Sequence, residues 1–231
     1  NEVVRSLVGS EMCIRDSPTP APWSNVIANE HGGFLVSERG ASMTWAENSR
    51  ENRLTPWSND PVSDQSGEAI YLRDEVSGAV WSPAPEAAGV GQFQVRHGFG
   101  YSSFSHMHDD IGTELCLSLA PDAAVKLLIL KLENHGDSQR QLSVSMYVEW
   151  VLGVLRESMS PYIITSLSTS ADGRPILLAR NPYNQEFAGR MAFLAASQPA
   201  MWATGDRAAF LGRNGSRARP ALLELGLPGQ A

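Results

Sequence analysis

Cysteine is scarce in this 231-residue chain: Cys13 and Cys116 are too few for a disulfide framework, and no CxxC pair offers a zinc site. Lysine is nearly absent, Lys126 and Lys131 sharing one apolar stretch, and there is no basic run. With 18 Lys and Arg against 25 Asp and Glu, the formal net charge is −7. Nucleic acid is therefore a poor partner, because phosphate binding draws its affinity from clustered cations. Long hydrophobic runs are missing as well. The best one, Ala123 to Leu132, is interrupted by both lysines and falls short of the roughly 18 residues a membrane span needs. The signatures GxxxxGK[ST], GxGxxG and GxSxG are absent, which removes the usual nucleotide-binding and serine-hydrolase readings.

What is present is ordinary globular composition, 42% hydrophobic and 19% charged, in a length that suits one large domain. Short strands alternate with turn residues. Gly33 to Ser37 and Ala41 to Trp45 flank Arg39-Gly40, and Ala69 to Arg73 and Ala79 to Trp81 flank a turn closed by Gly78. Phe93 to His97, Tyr101 to His106, Ile163 to Ser168, Ile176 to Ala179, Arg190 to Leu194 and Met201 to Ala203 are further candidates. Ile111 to Leu119 alternates cleanly, with Ile111, Thr113, Leu115, Leu117 and Leu119 on one face. Val125 to Glu133 and Arg140 to Trp150 predict a hairpin around Asn134 to Ser138. Its second strand should turn Leu142, Val144, Met146 and Val148 to the core. Helical patterns are scarce, Glu149 to Ser158 being the best. The sum is a mainly β fold, a large antiparallel β-sandwich.

Three segments carry more than fold class. They are Pro22 to Asn29 with Gly33 to Glu38; Thr44-Trp45 through NSRENRLTPWSND, Asn48 to Asp60; and YVEWVLG, Tyr147 to Gly153, with ARNPYN, Ala179 to Asn184, and Phe187 to Arg190. Together, and in order from Pro18 to the C-terminus, they resemble the N-terminal β-sandwich in the phosphorylase region of cyclic β-1,2-glucan synthases, glycoside hydrolase family 94. The chain departs from that pattern near Glu30-His31 and around His106 to Asp110. The resemblance implies a super-sandwich of the galactose mutarotase-like kind, followed by a catalytic (α/α)6 barrel. It also implies inverting phosphorolysis of β-glucan oligosaccharides by inorganic phosphate. Phosphate is itself the nucleophile, so one general acid suffices where an inverting hydrolase needs two carboxylates. That Asp is expected downstream of Ala231, so none of the present residues is expected to be catalytic. No cofactor and no metal are implied. A homodimer and a cytoplasmic location, free or within a larger inner-membrane protein, fit the resemblance. Residues 1–17 read as a translated adapter outside the domain, which would span 18–231 and keep Cys116 as its one free thiol.

Candidate sugar contacts follow from chemistry and resemblance together. Arg50, Asn52, Arg53, Trp57, Asn59 and Asp60 combine planar hydrogen-bonding groups, which match vicinal hydroxyls, with an aromatic that can stack on a pyranose. The competing reading is a self-capping loop. Arg180, Asn181 and Tyr183 leave an apolar run, ILLA, at a sheet edge, where they reach substrate or a neighbouring domain, or else simply brace a turn. Glu149 has no partner carboxylate and reads as a buried structural acid. His106, His108, Asp109 and Asp110 read as a polar hairpin tip rather than a zinc site, because no third ligand is identifiable. A stand-alone carbohydrate-binding sandwich and a structural dimerisation domain remain open beside the enzyme-fragment reading.

Overall fold

A computed structural model describes residues 3–5, 12–14, 19–60, 62, 66–89, 91–198 and 202–226. The chain opens with β1 (Val3–Arg5), β2 (Met12–Ile14), β3 (Ser24–Ala28), β4 (Gly32–Ser37) and β5 (Ser42–Ala46). Then come β6 (Glu68–Asp74), β7 (Val80–Trp81), β8 (Phe93–Gly98), β9 (Tyr101–His108), β10 (Ile111–Leu119) and β11 (Lys126–Asn134). β12 (Leu142–Val148), β13 (Ile164–Thr169), β14 (Pro175–Arg180) and β15 (Ala192–Ala195) complete the strands. The helices α1 (Arg156–Met159), α2 (Arg207–Leu211) and α3 (Ala221–Leu225) are one turn each.

A six-stranded sheet runs β1-β2-β8-β9-β10-β11, and three three-stranded sheets run β3-β4-β5, β12-β6-β7 and β13-β14-β15. Their pairings are antiparallel, as expected of the sandwich. Turn chemistry sets the register locally. Asp74 accepts the Val76 and Ser77 N–H groups between β6 and β7, and Gly78 closes that turn at φ 74°. Asp109 and Asp110 take φ 47° and 63° at the β9–β10 tip, the pair of left-handed residues that a tight hairpin requires.

The main core lies between sheets. Val95, Phe104, Leu115 and Leu117 of the large sheet pack against Ile27, Phe34 and Val36 of β3 and β4. The alternation of β10 is the one expected, with Ile111, Thr113, Leu115 and Leu117 buried. A second cluster joins Tyr71 and Tyr147 to Phe210, Leu211 and Leu223, so α2 and α3 close the far side of β6 and β12.

The expected hairpin of Val125 to Glu133 with Arg140 to Trp150 does not form. β11 pairs along its whole length with β10, whereas β12 pairs with β6. The connection between them is long enough to change sheets, and each strand follows its own core. The expected inward face of β12 is also reversed in part. Val144 is 52% exposed, whereas Tyr147, on the opposite face, is buried against Phe210 at 5.6 Å between ring centroids. One aromatic with a waiting pocket outweighs the alternation of smaller apolar residues. Within residues 1–17, β1 and β2 pair with each other and β2 pairs with β8, through Val95, Arg96 and His97. These are backbone ladders three residues long at a sheet edge, pairings open to many sequences. The Met201 to Ala203 candidate is not a strand at 202–203, and residue 201 lies outside the described residues.

Beneath β5, Glu68 and Lys126 meet at 2.6 Å, both side chains under 10% exposed. Thr44 and Thr55 donate hydroxyls to the same carboxylate, and Lys126 also reaches Ser42 and lies over the Phe34 ring. Burial opposes the charge on Glu68, but the lysine and the two hydroxyls outweigh it and hold its pKa below the usual carboxylate value.

Candidate functional site

At the C-terminal end of β5 the chain enters a loop, 47–53, that is braced from within. Asn48 Oδ1 accepts the N–H groups of Arg50 and Glu51, both at 2.9 Å. Asn52 is buried and its amide donates to the Ala46 carbonyl at 3.0 Å. Arg53 forms a two-way backbone bridge with Gly153, 3.1 Å in each direction, and its Nε donates to the Ser49 carbonyl. Arg50 is left outside, its side chain 79% exposed beside Glu51.

The segment leaving β14 arrives at the same place. Leu152 adopts φ 46°, a left-handed conformation that β-carbon-bearing residues seldom take. Its carbonyl accepts the side-chain amides of both Asn181, at 3.0 Å, and Asn184, at 3.2 Å. Asn181 is buried and its Oδ1 accepts the Tyr183 N–H, while Asn184 also reaches the Glu51 carbonyl. At the rim, Arg190 Nε and Nη2 grip both carboxylate oxygens of Glu47. That hydrogen bonding holds the Glu47 pKa below its normal value and raises that of Arg190.

The structure thus brings Arg50, Asn52, Arg53, Asn181 and Tyr183 into one loop cluster on the Leu152–Gly153 bracket. Arg180 ends β14 beside it, exposed. Trp57, Asn59 and Asp60 go elsewhere. Trp57 forms an isolated bridge with Ser66, whose hydroxyl accepts the Ser42 N–H, and Arg39 reaches the Val62 carbonyl. That is the start of β5, not its end; its five residues span roughly 13 Å at about 3.3 Å per residue. Asn59 is exposed with φ 50°, and Asp60 accepts the Val62 N–H.

Asn52 and Asn181 spend their side chains on the backbone, so they shape the cluster. The groups facing outward are the guanidiniums of Arg50 and Arg180 and the Tyr183 ring. Below the loops lies a cavity of about 220 Å³ whose lining includes Leu54, Trp150, Leu152 and Phe187, with Glu68 and Lys126 deeper in. Sequence reasoning did not mark Glu47, Arg190 or Tyr162 for this region. The first two are 143 residues apart, and no local pattern signals such a pair. Glu149 is paired with Arg156 and lies 3.6 Å from Arg207, a structural role. His106 and His108 lead into the β9–β10 tip, and among the described residues no group of three or more His, Cys, Asp or Glu could hold a metal ion. Nor is any described helix long and apolar enough to cross a membrane.

Comparison with known proteins adds the lineage. The chain is 40% identical over 217 residues to the cyclic beta-(1,2)-glucan synthase NdvB of Rhizobium meliloti (strain 1021), a stretch covering 92% of this chain and 8% of that protein. It is 25% identical over 222 residues to the N,N'-diacetylchitobiose phosphorylase of Vibrio proteolyticus, covering 94% of this chain and 28% of the relative. The corresponding enzyme of Vibrio furnissii is 26% identical over 216 residues, 91% of this chain and 27% of its own length. The chain therefore spans well under a third of each of these relatives. The family description "Glycosyl hydrolase 94, supersandwich domain" matches residues 10–230. An antiparallel multi-sheet sandwich and a match over nearly its whole length lead to one assignment: the chain belongs to the glycosyl hydrolase 94 supersandwich domain family.

Proposed function

We propose that this chain is the non-catalytic, carbohydrate-associated part of a glycoside phosphorylase or cyclic β-1,2-glucan synthase acting on β-glucans, its loop cluster bordering the sugar site of a catalytic domain elsewhere in the parent enzyme. The observation that carries this reading is the convergence of two loops, distant in sequence, on the left-handed Leu152, which leaves exposed guanidiniums at one rim. Backbone strain held by two asparagine side chains, Asn181 and Asn184, is a cost that a purely connecting loop has no need of. Phosphorolysis moves a glycosyl group to phosphate while an acid protonates the departing oxygen, and cationic donors must hold the phosphate. Arg50 and Arg180 are suited to that rim. The supporting roles fall to Asn52, Arg53 and Asn181. Trp57, Asn59 and Asp60 would contact sugar only if the ligand reaches the other end of β5. Placement in the cytoplasm, with phosphate as co-substrate, belongs to the same proposal.

The test uses the full-length enzyme. Loss of an arginine hydrogen bond to a charged or sugar oxygen costs on the order of 1.5–3 kcal/mol, roughly a tenfold to hundredfold drop in kcat/KM. Arg50→Ala should show that drop with an unchanged melting temperature. Arg53→Ala should lose stability as well, since it releases the Ser49 carbonyl. Unchanged kcat/KM in Arg50→Ala, Arg53→Ala and Arg180→Ala would remove the cluster from the site, and Trp57→Ala tests separately whether the ligand reaches the other end of β5.

A structural interface is the second reading, favoured by one observation. On one face of the sheet of β13, β14 and β15, Ile164 and Phe193 are 45% and 50% exposed, apolar side chains turned outward together. Loss of dimerisation on Phe193→Ser, with kcat/KM preserved in all arginine variants, would favour it.

A further inference from the structure

We infer that Tyr162 and Tyr183 form an exposed aromatic platform on which one ring of a β-linked glucan stacks, a saccharide contact carried by this chain alone. The inference rests on the carbohydrate role proposed above and adds a residue, Tyr162, and a ligand-binding mode to it. The register of one ladder explains why the two rings meet. The last pair of β13 and β14 is Ile164 with Arg180, so the chain entering β13 and the chain leaving β14 run side by side at that end. Tyr162 closes the 3-10 turn Ser160–Tyr162 and Tyr183 lies three residues past Arg180. Their ring centroids are 4.0 Å apart and their planes 9° from parallel.

Tyr162 is 41% exposed and Tyr183 57%. A near-parallel pair buries one face of each ring and offers the other, a flat apolar surface with a polar edge. Both rings are held before any ligand arrives. Pro161 and Pro182 restrict the backbone beside them, and buried Asn181 takes the Tyr183 N–H while its own amide reaches Met159 Sδ at 3.3 Å. A ring already fixed loses little freedom on binding, which favours recognition through few contacts. A β-linked glucopyranose presents a flat C–H face of matching size, with its hydroxyls around the edge. The chain around Tyr183 supplies partners for them: Arg180, Gln185 and Glu186 are exposed. A protein-docking patch would instead call for an apolar centre free of charge.

Calorimetric titration of this chain with the β-1,2-linked glucotetraose tests the platform. Saturable binding is expected, weakened about tenfold or more in Tyr162→Ala and in Tyr183→Ala. Tyr183→Phe keeps the ring and should bind within about twofold of the parent. Circular dichroism and melting temperature should not change, because both side chains are exposed. Absence of binding by the folded parent, or equal affinity in the alanine variants, overturns the platform. So does a change confined to self-association, which would make the tyrosines a protein interface. The two readings fail separately: a chain that binds no glucan, beside a full-length Arg50→Ala enzyme with reduced kcat/KM, sinks the platform and leaves the proposed function standing.

Discussion

With its amide nitrogen on the Leu152 carbonyl and its amide oxygen on the Tyr183 N–H, Asn181 satisfies two backbone groups that would otherwise be poorly paired, and buried Asn52 likewise turns its amide to the Ala46 carbonyl. The residue type was legible in the sequence, but its role was not: an asparagine that binds sugar and one that caps a loop look alike until burial is known. Histidine tells a parallel story. His106 is stacked on Phe93 at 4.1 Å with its Nε2 buried and without a partner, and His97 is buried against the Ser102 hydroxyl. Burial pushes both imidazoles below their ordinary value of 6.5. They are therefore neutral in the folded protein where the unfolded chain would already take up protons. Stability should be constant above about pH 6.5 and fall below it, by up to about 1.4 kcal/mol per histidine per pH unit, until the lowered folded values are reached. Urea unfolding between pH 7.5 and 5 measures this. A flat profile, or one unchanged by His106→Gln, would show that neither group is linked to folding in this way.

Among the elements, β8, β9 and β10 were readable because each is a hairpin neighbour of the next, so alternation, turn residues and pairing all agree. β11 and β12 were not. Their turn chemistry says hairpin, but pairing is decided by partners far off in sequence, β10 on one side and β6 on the other. The compositionally unusual stretch Asn48 to Asp60, expected to act as one loop, is divided in space for a similar reason. Thr55 is pinned to buried Glu68, which divides the stretch between the two ends of β5. The edge formed by β1 and β2 raises a separate question, since the domain is proposed to begin near residue 18. Removing residues 1–17 exposes the edge of β8 and, among the described residues, takes away short backbone ladders. The expected loss is about 1 kcal/mol or less, a fall in Tm of no more than about 4 °C. A larger fall, followed by calorimetry, would make the segment part of the fold.

For the whole molecule, a mainly β sandwich could be read from strand count and turn residues, whereas the catalytic chemistry could not, because the single general acid that phosphorolysis requires is proposed to lie on another domain of the parent enzyme. Glu149, the acid nearest a recognisable motif, is held by Arg156 and faces Arg207. This chain alone should therefore release no glucose 1-phosphate from β-1,2-linked oligoglucans and phosphate. Measurable release that disappears on Glu149→Gln would place the active site within the sandwich after all.

The parting of β11 and β12 into different sheets bears on how the chain folds. A polypeptide emerging in order can zip β8 to β11 as successive hairpins, each closing a short loop in microseconds. β6 has to wait for β12, and Arg140 then returns to Asp74 across 66 residues; Tyr71 waits longer still, for the Arg217 carbonyl 146 residues on. Such long closures are slow. Throughout that wait the edge of β6 that β12 will take stands open, and Tyr71 lacks the Tyr147, Phe210 and Leu223 that cover it, so the half-made sandwich is most vulnerable to aggregation while the hairpins of its largest sheet are already closed.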